Sequence, residues 1–152
     1  MKNVDGDLVE MALDGEFDVI VHGCNCKQIM GAGIAGQIAQ KIPEAKFVDD
    51  MYITASHYDK LSHYTIAPFR NRKGNLGFVV NLYTQYFPGA DLRIEALILG
   101  FKRVSRILKE KQRIGIPLIG CGIAGGNWDK IGPIIEEIMK DHDLTVVHYK
   151  TK

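Results

Sequence analysis

His22, Cys24 and Asn25 stand together directly after a short β-branched run, Val19-Ile20-Val21. An imidazole titrates near neutrality, so His22 is a candidate to pass a proton to a leaving oxygen or to activate water. The competing reading is a buried histidine satisfied by backbone groups. Cys24 and Cys121 are candidate thiol nucleophiles, but the sequence identifies no base partner for either. His22, Cys24 and Cys26 raise zinc. Cys-x-Cys is tighter than structural zinc spacing, and no second Cys/His pair stands nearby, so no metal is expected.

Glycine carries the other chemistry. The chain has 16 glycines among 152 residues, a larger share than the roughly 7% of average proteins. Gly23, Gly31, Gly33 and Gly36 fall in one stretch, and Gly120, Gly122, Gly125 and Gly126 in another. Each stretch follows a buried strand and opens a helix. Bare backbone there lets N–H groups approach a phosphate, and the helix N-terminus adds unpaired donors and its dipole. The competing explanation is tight packing of helix on sheet. Gly31-Ala32-Gly33 with Gly36 is G-x-G-x-x-G, a weak signal that lies too far past its strand for a tight dinucleotide turn. No G-x-x-x-x-G-K-[ST] pattern occurs, which argues against a P-loop NTPase.

The elements that must position these residues alternate in type. Apolar runs predict strands over 19–21, 64–67, 78–83, 114–119 and 144–147, with Pro68 holding the second to a sheet edge. The polar turn 70–75 joins two of them as a hairpin. A helix is predicted from Gly33, with Ile34, Ile38 and Ile42 on one face and Pro43 ending it. Another follows over 44–55, with Phe47 and Met51 four apart. Asp91 reads as the N-cap of a long helix whose apolar face is Ile94, Leu97, Ile98, Phe101, Val104 and Leu108. Its opposite face, Arg103, Arg106, Lys109 and Lys111, reads as solvated. A last helix spans 128–141, with Ile131, Ile134, Ile135 and Ile138 inward and Pro133 disturbing its first turns. Asp129 is its expected cap, a second catalytic carboxylate being the alternative. Strands alternating with such helices predict βαβ units and a parallel, buried sheet with ligands at the strand ends.

Composition sets the remaining bounds. The length fits one domain over 1–152. Nineteen Lys+Arg balance 18 Asp+Glu, which argues against generic nucleic-acid or membrane-surface binding but not against an anion held by backbone. No apolar run approaches a membrane span. The polar N-terminus is unlike a secretory signal, and three cysteines read as reduced thiols in a cytoplasmic compartment. A monomer is expected.

Val21-His22-Gly23-Cys24-Asn25-Cys26 followed by Met30-Gly31-Ala32-Gly33-Ile34-Ala35 resembles the first ligand loop of the macro domain family. It is closest to the branch of small single-domain proteins that process ADP-ribose 1″-phosphate. Gly6-Asp7-Leu8, Asn81-Leu82-Tyr83-Thr84-Gln85 and the run from Ile116 through Gly120-Cys121-Gly122-Ile123-Ala124-Gly125-Gly126-Asn127-Trp128 resemble further family elements in the same order. The resemblance implies a three-layer α/β/α domain with a central mixed, mostly parallel sheet. It implies an ADP-ribose cleft across the strand ends and no cofactor. Asp7, with Leu8 beside it, would accept from the adenine amino group, although a turn or cap role is an alternative for Asp7. Asn25 would bind the distal ribose. Gly31 and Gly33 in the first loop, and Gly122, Ile123, Ala124 and Gly125 in the second, would offer backbone N–H groups to the diphosphate. Ala32, Ile34, Gly120, Gly126 and Asn127 would also belong to the ligand-binding loops. Tyr149 would stack near the adenine, or be an ordinary edge tyrosine.

The resemblance further implies hydrolysis of the phosphomonoester of ADP-ribose 1″-phosphate, with His22 as the catalytic residue. The alternatives are a non-catalytic module for free or protein-linked ADP-ribose, and a hydrolase of ADP-ribosyl or O-acetyl-ADP-ribose esters. Two departures bear on the chemistry. The branch that removes ADP-ribose from glutamate uses a Lys after the middle strand and an Asp in the second loop; the matching positions are Gln85 and Ala124. The Asn-Ala-Ala-Asn start of many family members is replaced by His22-Gly23-Cys24-Asn25.

Overall fold

The computed structural model describes residues 1–150. Six strands form one sheet: β1 (Lys2–Gly6), β2 (Val19–Asn25), β3 (Tyr64–Arg70), β4 (Leu76–Gln85), β5 (Arg113–Ile116) and β6 (Asp143–Tyr149). Their order across the sheet is β1-β6-β5-β2-β4-β3. All neighbours are parallel except β3 and β4, which form the expected hairpin. Pro68 is tolerated because β3 lies at the sheet edge, where a missing N–H leaves no inner ladder bond unmade.

Five helices cover the two faces. Leu8, Val9 and Ala12 of α1 (Leu8–Leu13), Ile38 of α2 (Gly33–Lys41) and Ala45 of α3 (Pro43–Met51) pack with Ile20 and Val79 on one face. Leu97, Phe101 and Val104 of α4 (Ile94–Ile107), with Ile131 and Ile135 of α5 (Trp128–Ile138), pack with Val19, Val21 and Val80 on the other. The period-two alternation of Val19-Ile20-Val21 thus feeds two separate cores, as a buried central strand requires. The architecture is the α/β/α sandwich expected.

Several elements differ from the expectations, each for a local reason. β2 runs on to Asn25, so His22, Gly23 and Cys24 belong to the strand and not to the loop. β5 stops at Ile116, because Pro117 cannot donate to the ladder and the chain turns, with Ile119 N bonding Pro117 O. Pro43 opens α3 at its first turn, and α3 ends at Met51. Phe47 and Met51 face outward, 66% and 65% exposed, while Ala45 and Asp49 turn inward. Asp91 does not cap α4. Its carboxylate accepts from the N–H groups of Tyr86 and Phe87 and pairs with Arg93, and the helix starts at Ile94. Arg103 is half-buried rather than solvated, donating to the carbonyl and hydroxyl oxygens of Ser62. Pro133 sits inside an unbroken α5, which ends at Ile138, short of 141. Asn127, not Asp129, caps that helix by accepting from Asp129 N.

Candidate functional site

β2 and β5 lie side by side at the centre of the sheet. The chain leaving β2 enters α2 on one face, and the chain leaving β5 enters α5 on the opposite face. Adjacent strands whose connections part in this way leave a crevice beyond their carboxyl ends. The crevice holds a cleft of about 510 Å³. Asn25, Gly31, Ala32, Gly33 and Ile34 line it from the first loop. Gly120, Gly122, Ile123 and Ala124 line it from the second. The two loops meet across it: a Cβ on Gly33 would lie 3.2 Å from Ile123 Cδ1.

The backbone in these loops is open. Ala32 caps α2 without a side-chain bond, and among the described residues the N–H groups of 31–35 have no protein acceptor. The N–H groups of 122–124 are likewise unpartnered among the described residues, whereas Gly125 and Gly126 donate to Gly122 O and Gly120 O. Gly33, at φ +59, and Gly120, at φ +77, adopt left-handed backbone that side chains resist, and these conformations shape the two runs of donors. Such runs, one of them at a helix N-terminus, are an anion receptor built without cations.

The structure does not bring His22 to this cleft. Its side chain points from β2 toward the face covered by α3 and is 0% exposed. Nε2–H donates to Asn81 Oδ1 at 2.6 Å, and Asn81 Nδ2 donates to Ala45 O and to Thr65 Oγ1. Thr65 Oγ1 lies 3.0 Å from the Tyr83 hydroxyl, which donates to Asp49 Oδ1. This buried chain ties β2, β3, β4 and α3 together. Burial pushes the His22 pKa from 6.5 down to about 4, although the Asn81 bond works against it. His22 is thus enclosed, bonded to Asn81 and absent from the cleft lining, an arrangement that suits a structural part more than the expected catalytic one. Cys24 does lie 3.5 Å from His22 Nε2 and lines the cleft. Burial, with Asp49 and Cys26 nearby, raises its thiol well above the usual range, opposite to what a nucleophile needs.

The other expected site residues divide between the cleft lining and positions outside it. Asp7 caps α1, its Oδ1 accepting from Val9 N and Glu10 N at 3.1 Å each, and it does not line the cleft. Leu8 is core. Asn25 lines the cleft, but its amide staples the loop: Nδ2 donates to Ile29 O and Oδ1 accepts from Lys27 N. Gly125, Gly126 and Asn127 lie outside the lining; a Cβ on Gly126 would fall 2.5 Å from Gly120 O. Tyr149 stands at the cleft edge beside Val147, 57% exposed. Sequence reading missed Gln37, Thr84 and the Pro88–Gly89 turn as cleft residues. Gln37 lies one turn beyond Gly33 on the same helix face, a signal the periodicity did carry.

Comparison with known proteins places this geometry. The family model described as Macro domain matches residues 21–135. An Enterobacteria phage T4 protein, described as an uncharacterized 17.5 kDa protein in the tk-vs intergenic region, is 31% identical over 155 residues, covering 99% of this chain and 97% of its own. The macrodomain of Thermus aquaticus DarG superposes with a TM-score of 0.75 at 21% identity, covering 99% of this chain and 97% of that one. Thermosipho africanus DarTG in complex with ADP-ribose matches with a TM-score of 0.71 at 16% identity, covering 88% of this chain and 38% of that one. At such identities the two solved structures share the fold.

Proposed function

The chain belongs to the macro domain family, and on that premise we propose that it binds ADP-ribose or a close derivative in the cleft between its two glycine-rich loops. The observation that carries this reading is the pair of open N–H runs, 31–35 and 122–124, set across a crevice at the ends of β2 and β5. A diphosphate is the group that such donors suit. The apolar surface around Val147 and Tyr149 suits a flat base beyond it. The volume falls among those of small-molecule sites. The ADP-ribose complex of Thermosipho africanus DarTG, a protein of the same fold, supports the choice of ligand.

The family includes hydrolases of ADP-ribose derivatives, and hydrolysis of ADP-ribose 1″-phosphate is the finer reading. Binding stands ahead of it on this geometry. His22 is enclosed, Ala124 has no functional group, and the Gln85 amide donates to the carbonyls of Phe87 and Gly89. Turnover would therefore have to draw its acid or base from elsewhere than His22. Calorimetric titration with ADP-ribose tests the proposal. One-to-one binding is expected, and no heat at high micromolar ligand would refute it.

A further inference from the structure

Polar side chains around the cleft divide into those already bonded within the protein and those that are not. Asn25 and Gln85 belong to the first group, their amides spent on neighbouring backbone. Gln37 and Thr84 belong to the second. Four buried side-chain oxygen or nitrogen atoms lack a hydrogen-bond partner among the described residues, and two of them, Gln37 Oε1 and Thr84 Oγ1, sit on cleft-lining residues. Thr84 is the sharper case, since its side chain is wholly enclosed at the cleft floor.

Packing explains a β-branched residue at position 84 but not its hydroxyl. Thr84 Oγ1 lies 2.7 Å from where a Cβ on Gly23 would stand, and the Ile119 side chain reaches the same point at 3.3 Å. Gly23 is bare so that Thr84 fits. Valine has nearly the same outline and would fill that space with no polar atom left unbonded. An orphaned buried hydroxyl weakens a fold, so its presence calls for a partner from outside the protein chain.

We infer that Thr84 Oγ1 is the side-chain hydrogen-bond partner of a ligand oxygen in the half of ADP-ribose beyond the adenosine. The inference rests on the ADP-ribose reading of the cleft. Position supports the assignment. Thr84 precedes Gln85, which pairs with Asn25 at the end of β2, and Ile119 leads into the second loop. Gly23, Thr84 and Ile119 line the same cleft, so the hydroxyl lies on the floor between the two runs of backbone donors. Thr84 becomes a ligand-reading residue, in place of the Asn25 amide.

Full-length wild type, Thr84→Val and Thr84→Ser are compared by calorimetric titration with ADP-ribose and by thermal unfolding without ligand. Thr84→Val is expected to bind about three- to tenfold more weakly, the worth of one hydrogen bond. Its ligand-free Tm should be equal to or above that of wild type, because the variant removes an unpaired hydroxyl. Thr84→Ser should stay within about twofold of wild-type affinity, since it keeps the bond. Wild-type affinity in Thr84→Val overturns the inference. So does a Tm that falls together with affinity, or a loss in Thr84→Ser as large as in Thr84→Val. Absence of ADP-ribose binding by wild type overturns the reading of the cleft itself, a separate and recognisable outcome.

Discussion

The burial of His22 makes the fold more sensitive to acid. The unfolded chain takes up a proton at this residue near pH 6.5, while the folded chain refuses it until about pH 4. Stability that depends on a neutral His22 is complete above pH 6.5 and is lost as pH falls from about 6.5 to about 4. At 1.36 kcal/mol per pKa unit the full loss is roughly 3 kcal/mol, and about 2 kcal/mol is gone by about pH 4.5. His22→Gln isolates the effect, because it keeps an N–H for Asn81 Oδ1 and cannot titrate. The buried carboxyl of Asp49, raised by desolvation, works in the opposite sense as pH falls and cancels between the two proteins. Urea unfolding at pH 7 and at about pH 4.5 is the assay. Wild type should lose about 2 kcal/mol more than His22→Gln between the two conditions. Equal losses would mean that the imidazole titrates like a solvated one. The enclosure that removes His22 from the chemistry would then be refuted.

Further outcomes follow from the same geometry. Phosphate release from ADP-ribose 1″-phosphate, assayed directly, should be no lower per folded molecule in His22→Ala than in wild type; a selective loss would restore His22 as catalytic. Gly33→Ala places a side chain at φ +59 and against Ile123. It should cost about 1 kcal/mol of stability by urea unfolding and at least about tenfold in ADP-ribose affinity, through displacement of the loop donors. Because those donors are uncharged backbone, ADP-ribose affinity should change less than about threefold between low and high salt; a steep salt dependence would point to Lys or Arg instead. Burial raises all three thiols, but Cys121 is the least enclosed and lines the cleft. Alkylation followed by mass analysis should therefore label Cys121 before Cys24 and Cys26, and ADP-ribose should protect it.

Much of this architecture was legible in the sequence because the signals were redundant. Val19-Ile20-Val21 and Ile114-Gly115-Ile116 read as buried strands, and the glycine stretches after them read as loops at strand ends. The direction of individual side chains was harder. His22 follows Ile20 by two residues, which puts both on one face of β2, so its burial was recoverable once the strand was known to continue. That continuation was hidden by Gly23 and Asn25, which usually signal a turn. Asp91 precedes a helix at a spacing that suits a cap, yet its carboxylate accepts from N–H groups behind it. Local sequence does not distinguish the two. Phe47 and Met51 share a helical face, but tertiary contacts turn that face outward and bury Asp49 beside Tyr83 instead. The orphaned hydroxyl of Thr84 was beyond sequence reading, since it depends on the approach of Gly23 and Ile119 from two other segments.

A crystal structure of the chain with ADP-ribose tests the central claim most directly. The diphosphate should lie between the loops, within hydrogen-bonding distance of N–H groups in 31–35 and 122–124, with the base toward Val147 and Tyr149 and His22 still bonded to Asn81. Ligand bound elsewhere, or a diphosphate held by side-chain cations in place of those N–H groups, would contradict the account.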